Sequence, residues 1–132
     1  MTLEASVLRP DALHATPAGY ELEVHLPWYR SLPLSCLEEI SLTIDGRRVA
    51  VEDLRVERDG QDYAVADLAD LVDEQWFVQD GLRVRVPDDA PSAIGDSVAL
   101  EVELATRIPY IIIGPGAALV QRTRVERKVV VR

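Results

Sequence analysis

A chain of 132 residues with 48% hydrophobic content is long enough to bury its own core and reads as one domain over residues 1–132. Its formal charge of −9 argues against nucleic acid as a partner, because phosphate binding needs a basic field. A single cysteine rules out an internal disulfide or a cysteine-built zinc site.

No apolar run approaches the ~18 residues of a membrane span, and Met1-Thr2-Leu3-Glu4 lacks the basic and apolar regions of a signal. No membrane partner is implied, and a cytoplasmic location is expected. After a weak strand at Leu3–Leu8, the first clear element is Tyr20-Glu21-Leu22-Glu23-Val24-His25-Leu26, where polar and apolar residues alternate as in a half-buried antiparallel strand. Next comes Leu26-Pro27-Trp28-Tyr29-Arg30-Ser31-Leu32-Pro33-Leu34-Ser35-Cys36. Its two prolines cannot sit inside a central ladder, and each pushes the residue before it toward extended backbone. A stiff loop should result, presenting Trp28, Tyr29 and Arg30, residue types enriched at binding hot spots. Ser35-Cys36-Leu37-Glu38 fits a one-turn capping box, and Cys36 reads as a small buried apolar residue.

Ile40, Leu42 and Ile44 resume the alternation, and Asp45-Gly46 turns the chain into a strand over Arg47 to Val51. Asp59-Gly60 makes a second hairpin between Leu54–Glu57 and Gln61–Val65. Asp67 to Asp73 predicts one or two helical turns, with Asp67 as N-cap and Leu68, Leu71 and Val72 on one face. Leu82, Val84 and Val86 form another strand face, Val98 to Leu104 the longest strand, and Ile111–Ile113 and Val125 to Val131 the last two. Gly114-Pro115-Gly116 reads as a turn. About nine short strands, with at most one short helix, predict an all-β fold: a single antiparallel β-sandwich.

No catalytic constellation emerges from this inventory. His14 falls in an expected loop and His25 on the polar face of a strand, and both read as structural or solvated. No metal-ligand spacing, nucleophile motif or phosphate loop occurs, so no catalytic residue, metal or cofactor is assigned to the chain. The chemistry-bearing surplus lies in aromatics beside turns: Trp28-Tyr29, Trp76-Phe77 and Pro109-Tyr110. They either plug the ends of the core or form a docking surface. Residues 106–132 hold six Lys/Arg against one acid, which is either a solvated strand face or a docking edge for an acidic partner or a second copy.

"LPWYRSLPLSC" followed by "ISLTIDG", then "WFVQDGL" (Trp76 to Leu82) and "RIPYIIIG" (Arg107 to Gly114), resembles the small β subunits of bacterial C-glycoside deglycosidases, in the same order. The resemblance implies a β-sandwich bound to a larger TIM-barrel α subunit that carries a divalent metal, manganese or magnesium. It also implies a substrate oxidised to a 3-oxo-C-glycoside, whose ketone acidifies C2–H so that a base and the metal can drive elimination of the aglycone from C1. On this reading the partner-binding residues are Pro27, Trp28, Tyr29, Arg30, Leu32, Pro33, Trp76, Phe77, Pro109 and Tyr110. The alternatives are a stand-alone carbohydrate- or ligand-binding β-sandwich module, and a structural partner of another isomerase-like enzyme.

Overall fold

The computed structural model of the chain describes residues 6–132. All its sheets are antiparallel. A five-stranded sheet runs β1 (Leu13–Thr16), β2 (Gly19–Val24), β9 (Leu82–Pro87), β6 (Arg55–Arg58), β7 (Gln61–Ala64) from edge to edge. A four-stranded sheet runs β11 (Ala117–Val130), β10 (Ser97–Gly114), β4 (Leu37–Ile44), β5 (Arg47–Val49). A third pairing joins β3 (Leu32–Pro33) to β8 (Gln75–Trp76).

The side-chain period of two builds the core directly. Leu13, Leu22, Val84 and Val56 stand in one row across four strands of the first sheet, and all are buried. Val102 aligns with Leu42 in the second sheet, Leu104 with Ile40 and Leu100 with Ile44, and these side chains join the same core. Outward positions carry the charge. On the first sheet Arg83 and Arg85 reach Glu21, Glu57 and Asp62.

The two Asp-Gly turns are as expected. Asp45 (φ 49°) and Gly46 (φ 80°), like Asp59 (φ 51°) and Gly60 (φ 79°), put two successive residues in the left-handed region, as a two-residue type I′ hairpin requires. Gly116 (φ 67°) closes the β10–β11 hairpin after Pro115, and Gly114 pairs with Ala117.

Several sequence expectations are corrected. The segments Val98–Leu104 and Ile111–Ile113 belong to one 18-residue strand, β10, because the strand continues through Pro109 by means of a bulge between Ile108 and Ile112. The helix expected over Asp67–Asp73 is a 3-10 helix over Val65–Asp70 with Ala64, not Asp67, at its N-cap. With three residues per turn, Leu68 and Leu71 share a face and Val72 falls outside it, exposed. The turn over Leu34–Cys36 is capped by Pro33 without a side-chain bond, so the Ser35–Glu38 capping box does not form. His14 lies on β1 and not in a loop. The strand expected at Leu3–Leu8 lies largely outside the described residues, and Ser6, Val7 and Leu8 form no strand.

A candidate partner-docking surface

Three segments far apart in sequence meet at one end of the sandwich. After β2 ends at Val24, the chain crosses as a loop to β3, and its prolines keep it out of the main ladders. Trp28 Nε1 donates a hydrogen bond to the Tyr110 hydroxyl on β10, and the Arg30 guanidinium lies over the Tyr110 ring, 5.2 Å from its centroid. Trp28 and Tyr29 stack with centroids 4.8 Å apart at 41°. The second attachment is to β8. Leu32 pairs with Trp76, and Ser31 Oγ accepts a 2.8 Å hydrogen bond from the Val78 amide. Trp76 Nε1 in turn donates to the Asp80 carbonyl at 3.2 Å, and the Arg58 guanidinium lies 5.9 Å from the Phe77 ring centroid.

The ten sequence-predicted residues therefore converge on one end, but they divide into two roles. Leu32 and Trp76 are 2% exposed, Pro27 is also buried, and Trp28 and Pro33 are half-buried; these residues close the core. Tyr29, Arg30, Phe77, Pro109 and Tyr110 face solvent, with Tyr29 61% exposed. Supports that sequence reasoning missed are Ser31, Arg58, Val78 and Asp80. Also missed was the exposure of Ile112 and Ile113, although the uncharged run from Ile108 to Val120 was available as a signal.

The other candidates separate clearly. His25 is buried, not solvated, because the strand's alternation stops at Val24; its Nε2 meets Glu23 Oε1 at 2.8 Å, and its Nδ1 has no partner among the described residues. Cys36 is buried as expected, and burial raises its thiol pKa against the opposing charge of Arg107. Of the six basic residues in the C-terminal stretch, Arg107, Arg122 and Arg124 are paired with carboxylates. Arg124 reaches Glu101 at 2.7 Å and Glu126 at 2.6 Å, Arg122 reaches Glu39 at 2.8 Å, and Arg107 reaches Glu38 at 2.7 Å. Such exposed pairs contribute little stability each, but they leave less free charge to attract an acidic partner. Among the described residues no three His, Cys, Asp or Glu side chains come together to hold a metal ion, so the donor set does not fit a metal centre.

A groove of about 930 Å³ is lined by residues of β4, β5, β10 and β11 together with Val51, Glu52, Arg55 and residues 64–66. Its walls combine charged residues such as Glu39, Arg48 and Glu103 with apolar Ile40, Val51 and Val65, and no aromatic side chain lines it.

The profile of the C-glycoside deglycosidase beta subunit family matches residues 3–110. The chain belongs to that family. It is 36% identical over 130 residues to the C-glycoside deglycosidase beta subunit of Arthrobacter globiformis, covering 98% of each chain. A Microbacterium trichothecenolyticum C-glycoside deglycosidase beta subunit is 38% identical over 117 residues, 89% of this chain and 84% of the relative. The 3'-dehydrocarminate deglycosidase beta subunit of a Microbacterium species is 37% identical over 107 residues, 80% of this chain and 78% of the relative. A beta subunit of this family is one part of a heteromeric enzyme with an alpha subunit. The family membership that the sequence resemblance implied is thereby shown.

Proposed function

We propose that this chain is the non-catalytic subunit of a C-glycoside deglycosidase and stabilises a TIM-barrel alpha subunit by docking through its aromatic end. The alpha subunit then supplies the base and the divalent metal, manganese or magnesium. The reaction is the elimination of an aglycone from a 3-oxo-C-glycoside, and the 3'-dehydro substrate in one relative's name fits the requirement for a ketone.

The observation that carries the reading is the placement of Tyr29, Phe77 and Tyr110. Three large rings face solvent at one end, with Tyr110 held by Trp28 and Arg30 and Phe77 held beneath Arg58. Rings ordered before binding lose little entropy when a partner covers them. The carbohydrate-module alternative is less well supported. Sugars stack on aromatic faces, yet the 930 Å³ groove has none, and the exposed rings stand outside it.

Three preparations test the proposal against a 3-oxo-C-glycoside: this chain, the alpha subunit, and the co-expressed pair. The pair should release the aglycone and this chain alone should release none. Cleavage by the isolated chain would refute the non-catalytic role.

A further inference from the structure

Beyond the aromatic end, the far half of the β10–β11 hairpin has no sheet to belong to. The last β10 residue paired with β4 is Thr106, opposite Leu37. Past it, β10 has only β11 as a neighbour, so Ile108 to Val120 form a two-stranded ribbon up to about 20 Å long. Its root is anchored, since Ile111 and Leu119 pack against the core. The tip is bare, with Ile112 64% and Ile113 66% exposed. The segment Ile108-Pro109-Tyr110-Ile111-Ile112-Ile113-Gly114-Pro115-Gly116-Ala117-Ala118-Leu119-Val120 contains no Asp, Glu, Lys or Arg, in a chain of net charge −9. A ribbon of this kind is marginal in water and is an association hazard unless something covers it.

From this ribbon, and resting on the subunit role proposed above, we infer that the hairpin tip is an arm that inserts into an uncharged, apolar cleft of the alpha subunit. The contact area argues against a second copy of this chain as the occupant. Tip-to-tip contact buries only a few hundred Å², below the ~800 Å² per partner of a standard interface. Continuity points the other way. Tyr110 belongs both to the arm and to the aromatic cluster, held there by Trp28 and Arg30, so one partner can cover both surfaces. The prolines shape the mode of contact, because Pro109 and Pro115 offer no N–H for a new ladder. The arm is therefore gripped by its side chains and not extended as a sheet.

The test pairs tagged alpha subunit from the same source with wild-type chain and with an Ile112→Asp/Ile113→Asp variant. Dissociation constants are measured alongside melting temperatures. Both side chains are exposed, so the variant should melt as the wild type does while binding at least about thirtyfold more weakly. Should the aspartates disturb folding, Ile112→Ser/Ile113→Ser replaces them with the same expected loss. A folded variant that binds with wild-type affinity overturns the arm but leaves the subunit role standing. If the wild-type chain itself fails to bind the alpha subunit, the subunit role falls and the arm with it. Sedimentation of the chain alone checks the remaining occupant: a self-dimer abolished by the substitutions, with alpha-subunit binding unchanged, also overturns the inference.

Discussion

Trp76→Ala lowers the melting temperature by about 10–15 °C, whereas Tyr29→Ala leaves it within about 2 °C and weakens assembly at least about thirtyfold. The two residues lie at the same end of the molecule but in opposite environments. Trp76 is 2% exposed, pairs with Leu32 and donates its indole N–H to Asp80, so truncation opens a cavity beneath the loop and orphans a carbonyl. Losses of this type run to about 3–5 kcal/mol. Tyr29 is largely exposed and contacts Trp28 from outside, so little of the core is lost with it. Arg30→Ala should behave like Tyr29→Ala, with the additional release of the Tyr110 ring that its guanidinium covers. Melting and binding measured on the same preparations separate the roles. A large drop in melting temperature for Tyr29→Ala would make it a core plug, and unchanged assembly by a folded Tyr29→Ala/Arg30→Ala variant would remove this end from the interface.

Gly19→Ala is expected to cost about 2–5 kcal/mol, far more than the ~1 kcal/mol of Gly46→Ala. Both glycines have positive φ, 149° and 80° respectively, so each substitution incurs backbone strain. Only Gly19 also lacks space. A Cβ there falls inside contact distance of the Val86 carbonyl oxygen and the Asp88 amide nitrogen, backbone atoms of the neighbouring strand, while nothing lies within 4 Å of the corresponding position at Gly46. Relieving that clash means parting β2 from β9 at the Gly19–Pro87 pair, the end pair of an interior ladder of the five-stranded sheet. Urea midpoints of the two variants provide the check, and equal midpoints would show that the strands part without cost.

How far the fold is legible depends on whether the signal is local. Tyr20 to Val24, the two Asp-Gly hairpins and Leu82 to Val86 carry their periodicity and turn chemistry in adjacent residues, and they fold accordingly. Pro109 reads as a break only because sequence does not show that a bulge lets β10 continue past it. At Val65–Asp70 the 3-10 period of three replaces the expected 3.6, and Val72 leaves the apolar face. His25 turns inward one residue beyond the end of β2, a displacement that alternation cannot signal. For the candidate site, residue type alone picked out the aromatics. Their meeting, and their division into core plugs and exposed rings, depend on tertiary closure between segments as distant as Trp28 and Tyr110.

The two-residue turn at Pro115-Gly116 also bears on the order in which the molecule forms. From Ile108–Leu119 to Ser97–Val130 the register of β10 against β11 is unbroken, so each new pair closes a loop only slightly longer than the one before. Beyond the two register shifts next to the turn, the hairpin can zip outward from Ile108–Leu119 on the microsecond scale, at little entropic cost per step. β2 and β9 have no such route, because Gly19 meets Pro87 only after most of the intervening chain has been gathered in. The longest strand pair is thus the natural early nucleus, with β4 adding to β10 afterwards and the five-stranded sheet closing last. Pulse-labelled amide exchange during refolding should protect Val102 and Val125 before Leu22 and Val84, and simultaneous protection of all four would contradict a hairpin that leads.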